Sequence, residues 1–266
     1  MWNKILYDPL FNLLVVLYNF LGHNMGIAII ALTLVVRFIL WPLTQKSLVA
    51  QKKMNLIKPH LEKIKKDHGH DQRKMSEATM ALYKEHGINP LTSCLPLLIQ
   101  FPIFIALYRV FYNIASLTTY NFYAFVHRPE TINTQFLWFN LAKPDPYYIL
   151  PILVGVTFFW QTKISSPKQS VTPAPAGKGM MEDFQQTFQK QMLYIFPVMF
   201  TLITLKLTTA LSLYWVVTTL FGIGQQYLVM RDGKTTIPKL ASSSSAAAGS
   251  HKGKSGKTNI TVRKRR

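Results

Sequence analysis

Residues 25–43 read MGIAIIALTLVVRFILWPL. Threonine 33 and arginine 37 are the polar interruptions in 19 residues, enough for a helix to cross about 30 Å of hydrocarbon at roughly 1.5 Å per residue. Pro42 is expected to close this span, because a proline removes an intrahelical hydrogen bond. Arg37 is the anomaly. It lies roughly 9 Å from the C-terminal end of the run. A guanidinium at that depth either snorkels its head to the interface or faces a wet cavity between helices. The stretch alone is compatible with both.

The rest of the chain agrees with a membrane setting. It has 266 residues, 49% hydrophobic and only 15% charged, where soluble domains carry about 25% charge. Further apolar runs cover residues 91–114, 147–162, 192–207 and 208–230. The second contains Pro96 and Pro102, which membrane helices tolerate when neighbours satisfy the freed carbonyls. The last two are separated by Lys206-Leu207-Thr208-Thr209, so short a link that the helices form an antiparallel pair. The expected fold is an all-α membrane protein with five transmembrane helices, spanning residues 25–230. Residues 6–21 are apolar but broken by Asp8, Pro9, Asn12 and Asn19. Segment 1–24 is therefore expected to form an amphipathic helix in the membrane interface, and without a small-residue cleavage site it does not read as a signal peptide.

Between the first two spans, residues 44–89 are polar. Met54, Ile57, Leu61 and Ile64 recur at helical spacing, as do Met75, Thr79 and Leu82, with His68-Gly69-His70-Asp71 between them. Two narrow seams around a turn predict a helical hairpin outside the membrane, kinked at Pro59. Residues 161–190 carry Ser, Pro and Gly clusters and read as a loop. Residues 231–266 are Ser-, Ala-, Gly- and Lys-rich, a composition that does not bury a core.

Charge orients the chain. Residues 44–89 contain ten Lys and Arg, residues 161–190 four and residues 231–266 ten, against Lys4, Arg128, Lys143 and Lys206 on the other side. By the positive-inside rule the hairpin, the 161–190 connection and the tail are cytoplasmic, and the N-terminus is extracytoplasmic. The net charge of +19 calls for an anionic partner. The basic tail ends in Arg263-Lys264-Arg265-Arg266 and suits anionic lipid or ribosomal RNA equally.

Three groups of residues carry a resemblance. They are LVVRFILWPLT at 34–44; MALYK at 80–84 with Asn89-Pro90-Leu91 and CLPLLIQFPIF at 94–104; and FPVMF at 196–200 with Leu213-Tyr214-Trp215 and Gln225-Gln226. In this order they resemble the core of the YidC/Oxa/Alb membrane-protein insertases, most closely the short form of the bacterial YidC branch. The stretch before Tyr214 departs from that pattern: Leu207-Thr208-Thr209-Ala210-Leu211-Ser212 stands where the family usually has a Pro/Gly turn. The resemblance implies five helices around a hydrophilic groove open to the cytoplasm and to lipid, in the bacterial plasma membrane. It places Arg37 in that groove, with Gln161, Tyr214 and Trp215 lining it or its substrate-facing wall. Thr33, one turn before Arg37, joins these candidates. The implied partners are nascent membrane proteins, ribosomes, the Sec translocon and signal recognition particle components.

Blander roles exist for each residue. Thr33 and Gln161 suit interhelical hydrogen bonds, and Tyr214 and Trp215 suit interfacial aromatics. His60, His68, His70 and His86 lack the Cys or carboxylate neighbours of a metal site, so neither metal nor cofactor is expected. A transporter would be expected to show inverted repeats, and an intramembrane enzyme would need ionisable pairs within spans. Neither pattern is present in the sequence.

Overall fold

A computed structural model of the chain describes residues 3–114, 121–165 and 180–231. The fold is helical. A π-helical turn, Asn3–Tyr7, leads into α1 (Asp8–Phe20), α2 (Met25–Leu56), α3 (Lys58–His68), α4 (Gln72–Glu85) and α5 (Pro90–Tyr112). A two-stranded hairpin, β1 (Gln135–Phe136) and β2 (Phe139–Asn140), precedes α6 (Ile149–Ser165), α7 (Met180–Thr204) and α8 (Thr209–Arg231). Among the described residues α2 is long and apolar enough to cross a membrane; Leu98–Tyr112, Ile149–Ser165 and Leu193–Thr204 are shorter apolar helical stretches.

Helix α2 does not stop at Pro42; it runs on to Leu56. The proline removes one backbone bond, and what lies beyond it holds the helix together. The Thr44 hydroxyl lies 3.1 Å from the carbonyl oxygens of both Leu40 and Trp41 and 2.9 Å from Gln225 Oε1, three acceptors that share its single proton. Further on, Lys52 Nζ donates to the carbonyls of Val229 (2.9 Å) and Met230 (3.4 Å) at the end of α8. A cation there also meets the negative end of that helix. Tertiary contacts thus outweigh the local break. The chain turns instead at Ile57, and Pro59 sits in the first turn of α3, where its missing N–H costs nothing. Helices α3 and α4 meet around Ile57, Leu82 and Ile88, with Met54, Leu61 and Ile64 packed against them. Asp71 caps α4 by accepting from the amides of Arg73 and Lys74.

The expected loop over residues 161–190 is helical at both ends, since α6 continues to Ser165 and α7 begins at Met180. Residues 166–179 and the basic tail beyond Arg231 lie outside the described residues.

The polar interruptions in segment 1–24 have a structural use. The Asn12 side chain donates to Asn121 O (2.9 Å) and accepts from Tyr123 N (2.9 Å), and Asn19 donates to His127 O (2.7 Å). The Tyr18 hydroxyl accepts from Asn133 N. So α1 buries Phe11, Leu14, Val15 and Tyr18 against α2 and α5 while fastening the connection between α5 and α6. The departure before Tyr214 is closed in a similar way. Thr209 donates its amide (2.8 Å) and its hydroxyl (2.7 Å) to Lys143 O, and Ala210 N donates to Leu141 O (3.0 Å). With those partners the α7–α8 turn needs neither proline nor glycine.

Gly26 is required by a close approach. A Cβ there would collide with the Phe136 ring, which lies directly on the first turn of α2. Gly26→Leu should destabilise the detergent-solubilised protein by about 1–3 kcal/mol through overpacking, and Phe136→Ala should recover part of the loss. Thermal unfolding of the single and double variants checks this; equal losses with no recovery would contradict the contact.

Candidate functional site

Helix α8 is the shared partner, packing on both α2 and α6. Its sequence alternates apolar residues with hydroxyls and amides, and the structure matches those groups to neighbours. Towards α6, the Thr219 hydroxyl donates to Thr157 Oγ1 (2.9 Å), the Gln161 amide lies against Gly222, and Gln226 Nε2 donates to Ser165 Oγ (2.7 Å). Towards α2, Gln225 accepts from the Thr44 hydroxyl (2.9 Å) and donates to Trp41 O (3.2 Å) and Gln45 Oε1 (3.4 Å). In hydrocarbon such a helix is tolerated when its polar groups find interhelical partners. Thr219, Gln225 and Gln226 do, whereas the buried hydroxyls of Ser212 and Thr218 have none among the described residues.

Arg37 belongs to this polar system. Its Nη2 donates to Gln100 Oε1 of α5 at 3.4 Å, and Gln100 Nε2 in turn donates to the Tyr214 hydroxyl of α8. A cation, an amide and a phenol from three helices form one chain. Tyr214 is only 2% exposed and closes the inner end. A guanidinium carries five N–H donors. Among the described residues one of them has an acceptor, and that acceptor is neutral. The head lines a pocket between α2 and α5 with Leu40, Leu43, Thr44, Pro96, Ile99 and Gln100. The arrangement is a part-buried positive charge with donors to spare, beside an apolar wall.

The sequence-derived candidates divide. Arg37 and Tyr214 are joined through Gln100. Trp215, the next residue on α8, turns elsewhere: its ring stacks on Phe104 of α5 at 5.0 Å and meets Phe200 of α7 edge-on at 5.3 Å. Gln161 lies on the α6–α8 side against Gly222. Thr33 is buried and donates back to Ile29 O of its own helix at 2.6 Å. Gln100, Thr44 and Gln225 were not among the candidates. The signal for Gln100 was present, a single amide in the apolar run PLLIQFP at 96–102.

These features define a helical bundle that keeps a cation within a polar seam among its helices. The family model of the 60Kd inner membrane proteins matches residues 16–236. The chain is 35% identical over 232 residues to membrane protein insertase YidC 2 of Bacillus anthracis, covering 86% of this chain and 80% of that protein. It is 36% identical over 231 residues to membrane protein insertase YidC of Magnetococcus marinus, covering 86% of this chain but 36% of that longer protein. Among solved structures, a crystal structure of active YidC insertase with its first transmembrane domain resolved is similar, with a TM-score of 0.55 and 28% identity. That match covers 83% of this chain and 46% of the other. The chain belongs to the 60Kd inner membrane protein family, the family of the YidC membrane protein insertases.

The Gln100–Tyr214 link has an expected size. Interhelical hydrogen bonds of this kind average about 0.6 kcal/mol and reach about 1.7 kcal/mol. A double-mutant cycle of Gln100→Leu and Tyr214→Phe, read from unfolding in mixed micelles, should give a coupling within that range; additive effects would show that the two do not interact.

Proposed function

We propose that this chain is a non-enzymatic membrane protein insertase whose guest site is the seam around Arg37, Gln100 and Tyr214. The observation that carries this reading is the part-buried guanidinium whose hydrogen-bond partner is a neutral amide. A lone structural ion pair would satisfy itself. A cation held by a weak neutral acceptor retains attraction for an acidic segment passing through.

The charge pattern of the sequence and the family resemblance support a wider arrangement. α2, α5, α6, the second half of α7 and α8 are five spans around a hydrophilic groove, in the bacterial inner membrane. Helices α3 and α4, the α6–α7 connection and the tail are cytoplasmic, and α1 is on the other side. A guest helix enters from the cytoplasm, rests its polar flank near Arg37 and moves sideways into lipid. Thr33, Gln161 and Trp215 belong to the groove wall or its support. Placing one charged residue at mid-bilayer costs about 2.5–3.5 kcal/mol on insertion scales, and each 1.4 kcal/mol or so recovered is a factor of ten in rate. At 17 residues α6 is about 25 Å long, which favours a locally thinned bilayer and a shorter polar path. Hydrophobic transfer of the guest supplies the driving force. The basic tail recruits ribosomes; anionic lipids, the Sec translocon and signal recognition particle components are further partners.

Two outcomes test this. Arg37→Ala should slow insertion of substrates with acidic translocated segments about tenfold or more, equivalent to about 1.4 kcal/mol, and leave neutral ones nearly unchanged. Protease protection in proteoliposomes reads both, and equal rates for both substrates with either protein would sink the groove-charge reading. Removing residues 237–266 should weaken co-sedimentation with ribosomes, with the wild-type advantage shrinking as salt rises.

A further inference from the structure

The connection between α5 and α6 contains an unusual turn. In the β1–β2 hairpin Gln135 faces Asn140 and Phe136 faces Phe139, so Leu137 and Trp138 form the two-residue tip. Tips of this kind favour Asn-Gly or glycine, because their backbone enters the left-handed region. Here Leu137 has φ +54° and is 71% exposed, and Trp138 is 59% exposed. A strained backbone that holds a bare leucine outward needs a reason, since the local sequence preference opposes it. The connection repeats the pattern. Tyr148 has φ +58° and is 54% exposed, and Tyr147 beside it is 64% exposed.

The height of this surface is fixed. Phe136, at the base of the tip, lies on Gly26 in the first turn of α2. Tyr148 immediately precedes the first residue of α6. Below it the exposed side chains Ile152, Leu153, Val156 and Trp160 continue along one face of α6. The apolar surface therefore runs without a break from the tyrosine pair onto α6. The tip and the tyrosine pair carry no charge themselves, although Lys143 between them and Glu130 before them are exposed. Asp145 is buried and accepts from the amides of Tyr147 (2.9 Å) and Leu150 (2.8 Å), while Arg128 lies over the Phe122 ring at 5.3 Å. From Gln135 to Asn140 no residue is charged.

We propose that Leu137 and Trp138, with Tyr147 and Tyr148, form a lipid anchor in the interfacial zone of the leaflet where α2 begins. Trp and Tyr are suited to that depth, because their rings are apolar at one end and hydrogen-bond at the other. Leucine at the tip reaches the first methylenes. The anchor sets the bilayer surface at the first turn of α6, and with so short a helix the membrane must thin to meet its other end. The proposal rests on the membrane placement of α2 and α6 given above.

The test uses the full chain in a Cys94→Ala background, with single cysteines introduced as Trp138→Cys, Val156→Cys and Arg73→Cys, each labelled with an environment-sensitive fluorophore. Leu137→Cys repeats the tip measurement with Trp138 intact. The proteins are placed in vesicles of phosphatidylethanolamine and phosphatidylglycerol carrying a nitroxide at carbon 5 or carbon 12 of the acyl chain. The tip labels should be quenched at least twofold more by the carbon-5 probe than by the carbon-12 probe, the 156 label more by carbon 12, and the 73 label by neither. If 156 is quenched and both tip labels behave like 73, the anchor is wrong and the membrane placement survives. Tip labels shielded from both lipid nitroxide and aqueous iodide would point to a protein contact and also overturn it. A 156 label quenched by neither nitroxide would overturn the membrane placement itself.

Discussion

The structure depends most on one interaction: hydrogen bonds between polar side chains on different helices, set among apolar neighbours. Arg37 takes part through Gln100, which passes the link to Tyr214. The same bonding runs along α8, where a hydroxyl and two amides reach Thr157 and Ser165 on one side and Thr44 and Gln45 on the other. Because α8 supplies partners in both directions, it holds α2 and α6 in fixed relation. The wall near the guanidinium comes from α2 and α5, and α8 bonds to both, through Gln225 to Thr44 and through Tyr214 to Gln100. Each bond is weak; together they fix one register.

Two ends of the bundle are organised by different chemistry. At the end where α2 begins, α1 and the α5–α6 connection close over a core of Phe11, Tyr18, Met25, Phe111 and Leu141. Asparagine and tyrosine groups bond that connection to α1. At the other end α2 overhangs its neighbours, and Lys52 caps the last carbonyls of α8. Arg37 lies along α2 between that buried core and the Lys52 contact. Under the proposed function that arrangement suits a seam entered from one side, with polar partners met first and dry packing last.

Much of this was legible in the sequence, for a physical reason. Apolar runs are dictated by the solvent they face, so α5, α6 and α8 fall close to the runs at 91–114, 147–162 and 208–230. The turn at Gly69 and His70 follows from two seams separated by breakers. What local reading missed is tertiary. Pro42 looked terminal because its lost bond is local, whereas Thr44, Gln225 and Lys52 act across 180 residues of sequence or nearly so. Asn12 and Asn19 looked like flaws in a span and are fastenings for a distant loop. In the site, Arg37 stood out because charge in a span is rare, and Tyr214 came with the family. Gln100 was overlooked because a single amide has many ordinary uses, and only the geometry shows it between a cation and a phenol. Thr33 was chosen for its helical spacing from Arg37, yet its hydroxyl is satisfied by Ile29 O one turn earlier.

The central claim is that guests pass beside the Arg37–Gln100–Tyr214 seam. A photo-crosslinking residue placed at Gln100, with Tyr227 on the exposed part of α8 as the comparison, tests it against a ribosome-stalled nascent membrane protein. The account predicts crosslinks from position 100 that appear as the first apolar segment of the guest leaves the ribosome and fade as it lengthens, with few from position 227. Crosslinks of equal strength from both positions, or none from position 100 at any length, would contradict it.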